Sequence, residues 1–206
     1  MKLKLILFDF SGTLAYLRKS NPKNFFSDLK NFGININDTN IQNFIDLFSK
    51  VLGNSKNWFD FSKKLLRVFS KDDKKLAKNL ANFLEENVVF KLYDDVKCLK
   101  NLKIKKAILS ANAKFLIKEF PLKGFKIFTP KETKFLKPDK RAFLKVINYF
   151  KIKPEETLMV GDELERDLIP AKKLGMKTIL IDRENSIKNS PVQKIKSLAE
   201  LKTILV

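Results

Sequence analysis

Leu5-Ile6-Leu7-Phe8-Asp9-Phe10-Ser11-Gly12-Thr13-Leu14 is an apolar run that stops abruptly at a carboxylate. The largely apolar stretch, Leu3 to Phe10, is short and meets turn residues at Ser11-Gly12-Thr13. That pattern reads as a strand buried on both faces, as strands of a parallel sheet are. The turn that follows carries the chain off the end of the strand. A carboxylate at the mouth of such a strand costs free energy unless it is paired or put to use. Asp9 is therefore either a working group or a cap on a strand-to-turn junction.

Downstream the pattern changes twice. From about residue 22 to 87 apolar residues recur at helical spacing. The first stripe is Phe25, Phe26, Leu29 and Phe32, stopped by Gly33; the second is Ile41, Phe44, Ile45, Phe48, Val51 and Leu52, ending at Gly53. Asn37, Asp38 and Thr39 are candidate N-caps for the second stripe. Trp58, Phe61, Leu65 and Phe69 form a third stripe, and Leu76, Leu80, Phe83 and Leu84 a fourth. Four amphipathic helices with no strand between them predict a small helical bundle, in which Trp58 and the phenylalanines are core. Beyond residue 94, strands at Lys105–Ser110, Lys126–Phe128, Thr157–Val160 and Lys177–Ile181 alternate with helices at Lys114–Phe120, Lys140–Phe150 and Glu163–Leu174. Such alternation builds a parallel sheet covered by helices on both faces, and the first strand must join it. The expected class is α/β: a Rossmann-like parallel sheet core with an all-helical insertion after the first strand.

Composition narrows the chemistry. The 206 residues contain no histidine and a single cysteine, Cys98, so His bases, His metal ligands, internal disulfides and cysteine zinc sites are excluded. Any metal must be held by oxygen, which suits Mg²⁺. The net charge of +19 comes chiefly from lysine, since Arg18, Arg67, Arg141, Arg166 and Arg183 are the only arginines among 42 basic residues. The lysines are spread along the chain, without the basic and aromatic interleaving of a single-strand binder. That favours a solvated surface attractive to anionic substrates over a nucleic-acid partner. The N-terminal apolar run is too short for a signal peptide, and no apolar run approaches the ~20 residues that span a bilayer. A cytoplasmic protein without a membrane partner, monomeric or homodimeric, is expected.

In an open parallel sheet, ligands bind beyond the carboxyl ends of the strands. Those ends carry Asp9, then Ser110, then Gly161-Asp162, while Lys137 stands just before a helix in Phe135-Leu136-Lys137-Pro138-Asp139. Two carboxylates can hold Mg²⁺, a lysine can neutralise phosphate, and a hydroxyl with backbone N–H groups can bond its oxygens. Singly these residues have plain explanations. Ser110 is a possible helix N-cap, Lys137 one lysine among many, and Asp162 a turn residue. Together they form a site.

Asp9-Phe10-Ser11-Gly12-Thr13-Leu14 resembles the first motif of the haloacid dehalogenase-like superfamily, a strand ending in Asp-x-Asp-Gly-Thr. Ser110 at the end of an apolar strand is similar to its second motif, and Lys137-Pro138-Asp139 with Phe143 to its third. Gly161-Asp162 with Asp167 resembles the fourth, followed by Ala171-Lys172-Lys173-Leu174-Gly175-Met176. The resemblance covers residues 1–15 and 92–206 as the core domain, and residues 16–91 match the family's helical cap in position and character. It implies that Asp9 attacks a small phosphorylated substrate and forms an aspartyl-phosphate. Mg²⁺ would be held by the Asp9 carboxylate, the Ser11 carbonyl and Asp162, with Asp167 bound through water or supporting from behind. Thr13 would fix the loop, while Ser110, the Ala111 N–H and Lys137 would hold the phosphate oxygens.

The chain departs from the family pattern in two places. The superfamily's phosphatases carry a second aspartate two residues after the nucleophile, which protonates the leaving group and then activates water. Here that residue is Ser11. The usual Asn directly after the motif-two hydroxyl is displaced by one, giving Ser110-Ala111-Asn112. Phosphonate or halide cleavage on the same scaffold, or a catalytically weak scaffold binding phosphorylated ligands or partners, therefore remain as alternatives. If another group supplies the missing proton, the cap carboxylates Glu85 and Glu86 are the first to examine.

Overall fold

The computed structural model describes residues 2–18, 22–36 and 41–205. In chain order its strands are β1 (Leu5–Phe8), β2 (Ala15–Leu17), β3 (Phe90–Leu92), β4 (Lys105–Leu109), β5 (Phe125–Phe128), β6 (Thr157–Gly161), β7 (Lys177–Ile181) and β8 (Gln193–Ile195). The helices are α1 (Pro22–Asp28), α2 (Ile41–Gly53), α3 (Trp58–Val68), α4 (Lys74–Asn87), α5 (Lys114–Lys118), α6 (Pro130–Thr133), α7 (Lys140–Phe150), α8 (Ile169–Lys173) and α9 (Leu201–Ile204). Six strands form one parallel sheet in the order β5-β4-β1-β6-β7-β8. β1 lies inside it, between β4 and β6. The chain leaves β1 toward strands on either side, so the crevice beyond its carboxyl end is the topological switch point.

The continuous apolar run of β1 follows from burial on both faces. Leu5 and Leu7 pack with Ala107, Phe143, Met159 and Leu180 on one side. Ile6 and Phe8 pack with Ile108, Val160, Ile179 and Ile181 on the other. Each such side chain contributes roughly 1.5–3 kcal/mol by leaving water, which fixes the strand rigidly beneath Asp9. The fold is the α/β sheet with an inserted all-helical cap: α1 to α4 follow one another between β2 and β3. They build a third apolar cluster around Leu29, Phe44, Phe61, Leu65, Leu80 and Leu84. That cluster extends to Ala113 and Leu116 of the core, so cap and core are packed together. Trp58 meets Phe115 edge-on at 5.4 Å between ring centroids, and the Thr129 hydroxyl donates to the Gly53 carbonyl at 3.2 Å. No helix of the described residues is long and apolar enough to cross a membrane.

The structure adds two features to the sequence expectation. β2 and β3 pair antiparallel, Ala15 with Leu92 and Leu17 with Phe90, forming a ribbon where the chain leaves the core and returns. Three-residue strands are too short to show periodicity, which is why residues 16–91 read as helical throughout. The helix expected over Glu163–Leu174 opens with a π turn, Leu164–Leu168, before α8. Pro170 has no N–H to offer the Arg166 carbonyl, so the ladder loosens just ahead of it. Gly33 ends the first stripe in the left-handed conformation. The N-cap candidates Asn37, Asp38 and Thr39 lie outside the described residues.

Candidate active site

Five of the residues singled out in the sequence meet beyond the end of β1. The Asp9 N–H donates to the Val160 carbonyl at 2.9 Å, which extends the β1–β6 pairing by one residue and aims the carboxylate out of the sheet. Lys137 Nζ donates to Asp9 Oδ1 and to Asp167 Oδ1, each at 2.5 Å. Asp9, Asp162 and Asp167 each offer a carboxylate oxygen, all within 4.8 Å of one another. The Thr13 hydroxyl donates to Asp162 Oδ1 at 2.9 Å across 149 residues of sequence.

Two glycines make this crowding possible. Gly12 has φ +84°, and a Cβ on it would fall 2.1 Å from Asp162 Oδ2. A Cβ on Gly161 would fall 2.4 Å from Asp167 Oδ2. Both positions therefore need the residue without a side chain.

Charge in the cluster does not balance. Lys137, Asp9 and Asp167 are all buried, so one ammonium faces three carboxylates in a space that excludes most water. Burial pushes Asp162 up to about 6, and the charge of Asp9 adds to it. Burial also pushes Asp167 up to about 7 against the pull of Lys137, again with Asp9 adding. For Lys137 burial opposes the charged form, but Asp167 and Asp9 overcome it and hold the ammonium above its ordinary range. The excess of carboxylates, all of them oxygen donors, over ammonium suits a divalent cation shared by Asp9 and Asp162, with Asp167 close behind. Breaking such a buried cluster by removing its one cation costs ~3–5 kcal/mol.

Ser110 is buried one residue past the end of β4. Its N–H donates to the Phe128 carbonyl at 3.0 Å, and its hydroxyl accepts from the Asn112 N–H at 3.1 Å. Since Phe8 pairs with Ile108, Asp9 and Ser110 leave neighbouring strands at the same edge. Ala111 follows at the mouth of that strand. Ser11 is half-buried and its backbone bridges to Ala15. Asp139 caps α7 by accepting from the Arg141 N–H at 2.9 Å, so the Lys137-Pro138-Asp139 segment sets the start of that helix. Glu85 and Glu86 are exposed. Glu85 lines a groove with Trp58, Lys78 and Phe115, which shares no member with the acidic cluster.

One contact to the site has no counterpart in the sequence reading. Arg183 Nη2 donates to the Thr13 carbonyl at 2.8 Å. Arg183 stands two residues beyond β7, at the same edge of the sheet as Asp9 and Asp162. Its place just past a strand end is visible in the sequence, but its backbone partner is not.

A family model for haloacid dehalogenase-like hydrolases matches residues 3–175. Over 43 residues, 21% of this chain, the sequence is 49% identical to a glyceraldehyde 3-phosphate phosphatase of Pyrococcus furiosus. That match spans 18% of the relative's own length. Among solved structures, an HAD phosphatase from Thermococcus onnurineus superposes with a TM-score of 0.60 at 23% identity, over 98% of both chains. A 2-haloacid dehalogenase from Pseudomonas syringae gives 0.67 at 17% identity, also over 98% of both chains. These likenesses show a shared fold. A protein named a phosphatase and one named a dehalogenase both carry it, so the reaction has to be argued from the site.

Proposed function

The chain belongs to the haloacid dehalogenase-like hydrolase family, and from that premise we propose that it is a Mg²⁺-dependent phosphohydrolase acting on a small phosphorylated molecule through Asp9. The observation that carries this reading is the convergence of Asp9, Asp162 and Asp167 around Lys137 at the end of β1. A dehalogenase needs no cation, so the two further carboxylates beside its nucleophile would only repel the developing charge. The partial match to a protein named a phosphatase supports a phosphate ester, rather than a halide, as the substrate class.

The residues divide the work as follows. Asp9 attacks phosphorus with one carboxylate oxygen, the bond to the leaving oxygen breaks, and an aspartyl-phosphate forms. Water then attacks that phosphorus and frees Asp9. The Asp9 carboxylate, the Ser11 carbonyl and Asp162 would hold Mg²⁺, with Asp167 bound through water or supporting from behind. Bound there, the cation offsets the charge of the phosphoryl oxygens so that an anionic carboxylate can approach them. Lys137 keeps Asp9 oriented and neutralises charge in the transition state, while Ser110 and the Ala111 N–H bond the phosphoryl oxygens. Thr13 fixes Asp162. Ser11 is too weak an acid to share a proton near neutral pH, so leaving groups that are stable as anions are favoured. Residues 1–15 and 92–206 form the core domain and residues 16–91 the cap, with the β2–β3 ribbon at the border.

Steady-state hydrolysis of an aryl phosphate with and without Mg²⁺ tests this. Phosphate release that needs Mg²⁺ and stops with a chelator is expected. Metal-independent release of halide from a 2-haloacid, with no aryl phosphate turnover, would overturn it in favour of dehalogenation. Ser11 alone favours a second reading, a scaffold that binds phosphorylated ligands without turning them over. Binding of phosphate with no turnover of either substrate would select it.

A further inference from the structure

Arg183 lies outside the four motifs, yet its guanidinium joins three separate parts of the chain. Nη1 donates to Asp95 Oδ2 at 2.7 Å and Nη2 to Asp95 Oδ1 at 3.2 Å, a two-pronged pairing. Nη2 also donates to the Thr13 carbonyl at 2.8 Å. The face of the guanidinium lies 3.6 Å from the centre of the Tyr93 ring. Asp95 is itself anchored, accepting from the Ser197 hydroxyl at 2.8 Å and the Leu198 N–H at 2.9 Å. Burial alone would raise the Asp95 carboxyl; Arg183 and the Leu198 N–H more than offset that and hold it below the ordinary carboxylate range.

The place of these partners matters. Thr13 lies two residues before β2 and Tyr93 directly follows β3. The Tyr93 N–H donates to the Leu14 carbonyl at 3.0 Å, and the Tyr16 and Tyr93 rings meet at 4.9 Å between centroids, tilted by 43°. One guanidinium thus ties the chain leaving the core to the chain returning to it. Thr13 is held at both ends, its carbonyl by Arg183 and its hydroxyl on Asp162. Gly12 lets the turn lie close against Asp162, since a Cβ there would fall 2.1 Å from Asp162 Oδ2.

We infer that Arg183 is a positioning residue that sets the turn Ser11–Leu14 and, through Thr13, the aim of the Asp162 carboxylate. The use of that turn in catalysis rests on the proposed function; the positioning rests on the contacts above. A planar fork can serve a carboxylate and a carbonyl at once, whereas a lysine ammonium on a flexible stem cannot reproduce that geometry.

Two variants of the full chain separate positioning from simple ion pairing. Arg183→Lys and Asp95→Asn each break the fork, so both lower the melting temperature. Only Arg183→Lys releases the Thr13 carbonyl. Titration with Mn²⁺ followed by electron paramagnetic resonance should show ~10–100-fold weaker binding in Arg183→Lys, the usual loss when a group supporting a ligand is removed. Asp95→Asn should stay near wild type. In aryl phosphate turnover kcat should fall in Arg183→Lys with KM little changed. Unaltered Mn²⁺ affinity and kcat in Arg183→Lys, at a comparable loss of melting temperature, would reduce Arg183 to a structural ion pair and overturn the inference. A wild type that binds no Mn²⁺ contradicts the metal reading of the site instead. Amide exchange at Gly12, Leu14 and Ala15 then decides the positioning: faster exchange in Arg183→Lys and not in Asp95→Asn sustains it, and no difference overturns it.

Discussion

The sheet and the cap are both well supplied with apolar residues but use them differently. In the sheet, the inner strands β1 and β6 are mainly aliphatic and buried along their whole length, and charged groups gather at their carboxyl end as Asp9, Asp162, Asp167 and Lys137. In the cap, rings meet rings: Phe25, Phe26, Phe44, Phe48, Phe61 and Phe83 lie at centroid separations of 4.7–6.3 Å. Their packing leaves a pocket of about 270 Å³ among Leu17, Phe25, Phe26, Phe44, Phe48 and Val88. A close-packed sheet holds charges at fixed separations. A ring-lined bundle with space left in it can repack around changes of shape. On the proposed function, that difference would put the chemistry in the sheet and leave selectivity to the cap.

That division predicts its largest effect at Ser11. If all the chemistry belongs to the sheet edge, Ser11→Asp supplies the absent acid and raises alkyl phosphate turnover by ~10²–10⁴-fold, the usual worth of general acid–base assistance. Aryl phosphate turnover, whose leaving group is stable as an anion, should change far less. Brisk alkyl phosphate turnover by wild type, unaltered by the substitution, would move the proton donor elsewhere and blur the two regions.

Stability should divide the same way. Phe8→Ala opens a void under Asp9 and is expected to cost ~3–5 kcal/mol in denaturant unfolding. Phe25→Leu, beside the cap pocket, should cost less than ~1.5 kcal/mol because neighbouring rings can adjust. Equal costs would mean that the cap is packed as tightly as the sheet.

The smallest effect concerns the melting temperature of Asp162→Asn. Burial and Asp9 hold Asp162 up at about 6, above the unfolded value, so its charged form opposes folding. The penalty is full above that pH and fades as pH falls toward the unfolded value near 4. Without metal, Asp162→Asn should therefore melt a few degrees above wild type at about pH 8, with the gap closing by about pH 4. With Mg²⁺ at ~100 times its dissociation constant, wild type gains ~2.7 kcal/mol that the variant lacks, and the order reverses. An unchanged metal response in the variant would remove Asp162 from the site.

Much of the sheet edge was legible because burial makes charge conspicuous. A carboxylate straight after Leu5-Ile6-Leu7-Phe8 needs a reason, and the helical stripes announce the cap by their period. The β2–β3 ribbon was not legible, since three residues carry no period. Arg183 was hidden for another reason: its partner on the turn is a backbone carbonyl, 170 residues away, which leaves no mark on residue identity. The attachment of Lys137 to both Asp9 and Asp167 was hidden as well. Sequence order shows that a lysine stands near the site but not which carboxylates it pairs with.

The proposal stands or falls on whether Asp9 becomes phosphorylated. Mixing the protein with acetyl phosphate and Mg²⁺, quenching in acid and mapping the adduct by mass spectrometry would decide it. The expected result is a phosphoryl group on the peptide containing Asp9, slow to disappear because Ser11 cannot activate water, and absent from Asp9→Asn. Loss of the nucleophile should also lower turnover by at least ~10⁴-fold. Phosphate release that continues undiminished in Asp9→Asn, with no adduct on the wild-type peptide, would contradict it.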